Sequence, residues 1–114
     1  MTQDSPEINE LALPPGFALG NYIIRRVIGQ GGFGITYLAV DQDLQTEVVI
    51  KENMPGSIAG RSTTSRQVFS LSHASDDFAW ARDRFIQEAR TMAKLNHRNI
   101  VRVTRVFQAL GTAY

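Results

Sequence analysis

A chain of 114 residues, 43% hydrophobic and 20% charged, has the balance of one small globular domain. That excludes a collagen, a long coiled coil, a fully disordered tail and a two-lobed enzyme with a deep internal cleft. The absence of cysteine removes disulfides, thiolate nucleophiles and Cys-ligated zinc, and the net charge of +1 sets no strong electrostatic preference.

Residues 1 to 20 carry Asp4, Glu7 and Glu10 without a base and end near Pro14-Pro15-Gly16, so they read as a flexible acidic leader. They lack the basic and apolar regions of a signal peptide, and no apolar run in the chain is long enough for a membrane span. From Tyr22 the composition turns to β-branched and aromatic residues, Tyr22-Ile-Ile-Arg-Arg-Val-Ile28, which predict a first strand ending at Gly29. Ile35 to Val40 predicts a second strand and Glu47 to Lys51 a third, joined as a hairpin through the turn-forming residues 41–45.

Residues 53 to 75 hold Pro55, Gly56, Gly60 and many Ser and Thr, and read as a long irregular connection, either passive or a docking insertion. Asp76 and Asp77 suit a helix N-terminus. Phe78, Ala81, Phe85, Ala89, Met92 and Leu95 recur at spacings of three and four, which predicts an amphipathic helix stopping near Asn96. Ile100 to Phe107 is β-prone again, and after Gly111 the residues Thr112 to Tyr114 look like the start of another strand. The basic residues from Arg82 to Arg105 are spread over helix and strand with acids among them, so a nucleic acid is not an expected partner.

The stretch Ile28-Gly29-Gln30-Gly31-Gly32-Phe33-Gly34 carries the most chemistry. Closely spaced glycines let backbone N–H groups approach phosphate oxygens where a Cβ would intrude, although a glycine-rich hairpin can also be only a turn. A dinucleotide-binding fingerprint needs a helix directly after the glycines, whereas here a β-prone run follows. Strand, glycine loop, strand, turn and a strand ending in Lys51 is the order of a loop folded over a nucleotide, with a lysine reaching its phosphates.

On these residues the chain, from about residue 20 to 114, resembles the bacterial serine/threonine protein kinases. Val48-Val49-Ile50-Lys51 stands where the family has V-A-I-K. Phe85-Ile-Gln-Glu88-Ala-Arg90 and Asn96-His97-Arg98-Asn99-Ile100 look like the family's αC helix and the turn after it. Val49 replaces the usual alanine, Thr36 the usual valine and Arg98 the common proline.

The resemblance implies an α+β fold, the N-lobe of a kinase: an antiparallel sheet of about five strands, the last incomplete, packed with one αC-type helix. Residues 1–20 are then the leader, and residues 21–114 a partial kinase domain that stops before the adenine-gripping hinge. It implies ATP as ligand, held by Ile28, Gly29, Gln30, Gly31, Gly32, Phe33, Gly34, Thr36, Val49, Lys51 and Glu88, with Lys51 on the phosphates and paired to Glu88. Local pairing of Glu88 with Arg84, or its exposure to solvent, is the competing arrangement. Phe33 shields the phosphates or fills the hairpin, His97 is a hydrogen-bonded turn residue, and Trp80 and Phe107 belong to the core or an interface.

Neither H-R-D-x-x-x-x-N nor D-F-G occurs, so no catalytic base or metal ligand is identifiable, and magnesium is expected only for a complete kinase. The function implied is transfer of the ATP γ-phosphoryl group to protein Ser or Thr once a catalytic lobe completes the domain. The alternative is an inactive lobe serving as a protein-interaction module, or a non-functional remnant. A protein substrate or the completing lobe is the expected partner, and the expected location is cytoplasmic.

Overall fold

A computed structural model describes residues 10–114. Its centre is a curled antiparallel sheet in the order β1 (Ala18–Leu19), β2 (Tyr22–Gln30), β3 (Gly34–Asp41) and β4 (Thr46–Asn53). The β-rich runs from 22 to 51 thus become strands, and their side chains alternate between two faces. Ile35, Tyr37 and Ala39 of β3 are buried together with Ile50 and Glu52 of β4, while Thr36, Leu38, Val49 and Lys51 occupy the opposite face. The β3–β4 hairpin turns at Asp41, whose carboxylate accepts from the N–H groups of Asp43 (2.9 Å) and Leu44 (3.2 Å). Two register shifts in β2, between Ile24 and Arg26 and between Val27 and Gly29, add to its curl as it approaches the glycine loop.

The described part of the leader is not a tether. Ala12, Leu13 and Leu19 are buried in the core, and β1 pairs with β2. The prolines forbid ladder bonds but not apolar burial. The chain bends at Pro14-Pro15, where the Pro14 carbonyl accepts from Phe17 N (3.1 Å), and Leu13 is left against the sheet. Residues 1–9 of that expected leader lie outside the described residues.

Residues 53 to 75 contain a second, two-stranded sheet, β5 (Ala59–Arg61) with β6 (Val68–Ser70), where an irregular connection was expected. Three-residue strands on either side of a Ser- and Thr-rich turn escape a compositional reading, and here the turn is closed by Ser62 Oγ accepting from the N–H groups of Thr64 and Ser65. The helix α1 (Ser75–Ala93) carries Asp76 and Asp77 in its first turn and ends before Leu95. Its buried residues are Phe78 and Ile86, and Leu95 is exposed.

The strand expected at 100–107 does not form. Instead Phe107 and Tyr114 exchange backbone bonds of 3.0 and 2.8 Å around the short hairpin β7 (Gln108–Ala109) and β8 (Thr112–Ala113). A β-prone composition makes no strand without a partner edge. Arg105 lies over the rings of Tyr22 and Phe107 rather than in a ladder. The β7–β8 turn needs left-handed backbone at Leu110 (φ 51°) and Gly111 (φ 77°), and a Cβ at Gly111 would fall 2.5 Å from the Val68 carbonyl oxygen. Beside the four-stranded sheet there are therefore two two-stranded ones, in place of one sheet of about five strands. Among the described residues no helix is long and apolar enough to cross a membrane.

Candidate nucleotide site

The open face of the sheet gathers most of the residues singled out from the sequence. Thr36 stands directly across from Lys51, Leu38 from Val49, and Gly29 from Thr36, so these share one surface. Val49 is 64% exposed, and the Lys51 ammonium has no ion pair or hydrogen bond among the described residues. Ile28 and Phe33 are also exposed, Phe33 at 83%, so it does not fill the hairpin.

The glycine loop is braced through its carbonyl groups. Gly34 O accepts from Gly31 N (2.9 Å), Phe33 O from Met54 N (3.1 Å) and Gly32 O from Gly56 N (3.2 Å). The N–H groups of Gly32 and Phe33 donate to nothing among the described residues. Gly31 and Gly32 have open space where a Cβ would stand, whereas a Cβ on Gly34 would lie 2.8 Å from the Glu52 carbonyl oxygen and 3.6 Å from Lys51 Cε. Gly34 is thus required by the approach of β3 to β4 beside the lysine.

The Lys51–Glu88 pair expected from the resemblance is not formed. Glu88 is exposed and accepts from Arg84 Nε at 3.1 Å, one helical turn away. The reason is geometric: Ile86 defines the buried line of α1, and a residue two positions on lies about 200° around the helix axis from it. Trp80, placed in the core or an interface, is 64% exposed and carries Arg84 over its ring. Phe107 is half-buried between the rings of Tyr22 and Tyr114. His97 accepts a bond from Asn99 N (3.1 Å) through Nδ1, as a turn residue would.

The sequence reading missed a fully buried carboxylate that gathers three hydrogen bonds. Glu52, fully buried, accepts from Tyr37 Oη (2.7 Å) on one carboxylate oxygen and from Tyr114 Oη (2.6 Å) and Arg61 Nη2 on the other. Arg61 in turn donates from Nε to Leu11 O (2.9 Å) and from Nη1 to Arg66 O (2.7 Å), and Tyr37 Oη accepts from Leu13 N (2.9 Å). Burial, reinforced by the Glu52 charge and hydrogen bond, pushes the Tyr37 and Tyr114 phenols well above the ordinary tyrosine range. Burial works to lower the Arg61 guanidinium, but the Glu52 charge and hydrogen bond, joined by the Tyr114 and Tyr37 oxygens, together outweigh it and hold the group above its ordinary value. A signal was available. If Val49 and Lys51 face one way, Glu52 must face the core with Ile50, where an unpaired carboxylate is untenable.

No family model matches the chain. Among solved structures it is similar to PpkA-294 in its apo form, with 36% sequence identity and a TM-score of 0.84, over 90% of this chain and 37% of that one. The likeness supports a kinase-like fold. The chain spans little more than a third of the length of that neighbour, and the curled sheet with one helix is compatible with the N-lobe of a kinase.

Proposed function

We propose that this chain is the ATP-binding lobe of a serine/threonine protein kinase. The observation that carries this reading is the open sheet face, where an unpaired Lys51 stands across from Thr36, next to a loop whose Gly32 and Phe33 N–H groups are free. The donor set suits a polyphosphate. The loop N–H groups and the Lys51 ammonium meet the phosphate oxygens, Ile28, Thr36 and Val49 line the base side, and exposed Phe33 covers the phosphates from water. Gly29, Gly31 and Gly34 keep the backbone close enough for those contacts. Bound ATP supplies the γ-phosphoryl group, and the chain's own residues orient it.

No group of three or more His, Cys, Asp or Glu among the described residues could hold a metal ion. Transfer to a protein Ser or Thr belongs to the lobe when a catalytic lobe supplies the base and the metal ligands. Glu88 enters the site only if α1 turns its Arg84-bound face toward Lys51, an arrangement absent from this structure.

Titration of Mg·ATP into the 15N-labelled chain tests the reading. Chemical-shift changes should concentrate on Gly31 to Gly34, Thr36, Val49 and Lys51, and Lys51→Ala should weaken binding about tenfold, the loss of one charge-assisted phosphate contact. Millimolar nucleotide leaving those resonances unmoved would overturn it.

A further inference from the structure

β4 is the last strand of its sheet, so β3 supports one side of Lys51 and nothing in the ladder supports the other. That outer side is held by side chains. Glu52 binds Arg61 and Tyr114, and the next residue, Asn53, donates to Thr112 Oγ1 (3.3 Å) while its carbonyl accepts from the same hydroxyl (2.7 Å). Through Tyr37 and Arg61 the same carboxylate also reaches β3, Leu13, Leu11 and the β5–β6 turn at Arg66. Its own carbonyl oxygen lies against Gly34, the end of the glycine loop. One buried carboxylate thus joins the leader, β3, β5 and Tyr114 immediately beside the phosphate-facing lysine.

We propose that Glu52 is a positioning residue for Lys51: its bonds to Arg61, Tyr37 and Tyr114 fix the end of β4, and so the lysine and Gly34, in the arrangement that meets phosphate. This takes over in the described structure the task that a helix glutamate would perform, since Glu88 is engaged with Arg84. The proposal rests on the nucleotide-binding reading above.

The test uses an ATP acyl-phosphate probe, which acylates a lysine lying beside the bound phosphates, with labelling of Lys51 followed by peptide mass spectrometry. Glu52→Gln alone strands the buried Arg61 charge and lowers stability, so the informative variant is Glu52→Gln/Arg61→Met, which removes both charges. The expected result is a cooperative melt close to that of the native sequence, with the Lys51 labelling rate at saturating probe lower by about tenfold or more, as misplaced reacting groups produce. Labelling of that folded double variant at the native rate would overturn the proposal and leave Glu52 a purely structural residue. Should the double variant fail to melt cooperatively, Tyr114→Phe removes one bond while keeping both charges paired. A reduced rate then supports the proposal, and an unchanged rate overturns it. If the native chain shows no labelling that free ATP competes away, the nucleotide-binding reading itself fails and the proposal falls with it. A labelled native chain with an equally labelled variant refutes the positioning role alone.

Discussion

Replacing Gly34 by alanine tests the closest approach in the candidate site. The new Cβ would lie 2.8 Å from the Glu52 carbonyl oxygen, with Lys51 Cε 3.6 Å away. Carbon and oxygen regain ordinary contact only after a retreat of about half an ångström, and the atom that must retreat is backbone in a paired strand. Overpacking of that kind costs about 1–3 kcal/mol, and in a domain of this size each kcal/mol lowers the melting temperature by about 4–8 °C. The control is Gly31→Ala, which meets nothing within 4 Å and has no left-handed φ. Reduced freedom of the unfolded chain should stabilise that variant by about 0.4–1 kcal/mol. Urea and thermal unfolding of the two variants beside the native sequence give the comparison directly. An unchanged midpoint for Gly34→Ala, or an equal loss in both variants, would show that the glycine is not needed for the β3–β4 approach.

Two further outcomes follow from the core. Leu13→Ala, at a side chain 2% exposed, should cost about 2–5 kcal/mol in denaturant unfolding, and an unchanged midpoint would mean that the leader does not belong to the core. The Tyr37 and Tyr114 phenols titrate higher in the folded than in the unfolded chain, so their contribution is intact below the unfolded tyrosine value of about 10 and is lost as pH rises above it. Each should withdraw up to about 1.4 kcal/mol per pH unit beyond that point, and unfolding of Tyr114→Phe at a series of alkaline pH values should show a clearly shallower decline than the native chain. Parallel declines would place the Tyr114 hydroxyl outside the buried network.

Local signals explain which parts of the structure were legible in the sequence. Strands β2 to β4 follow from dense runs of β-branched and aromatic residues, and the alternation of side chains along a strand places Val49 and Lys51 on one face. What escaped depends on distant partners. Arg61 lies in a stretch of Ser, Thr and Gly with no period, yet it meets Glu52 in the core. Tyr114 meets the same carboxylate across 62 positions. Glu88 was misplaced for the opposite reason: a periodic row of half-buried residues, Ala81, Phe85, Ala89 and Met92, resembles a buried stripe, and Ile86 beside it holds the true one. The leader was misread because its prolines were more conspicuous than Leu11, Ala12 and Leu13.

The two faces of the central sheet divide two tasks between neighbouring residues of the same strands. Ile35, Tyr37, Ala39, Ile50 and Glu52 hold the lobe together, and Thr36, Leu38, Val49 and Lys51, one position away, contribute little to the packed interior. Substitutions on the second set leave the packed side intact, so selection can alter what the open face binds while the fold persists. A lineage built on this sheet can change the chemistry of its open face through substitutions at alternate positions, without first passing through an unfolded protein.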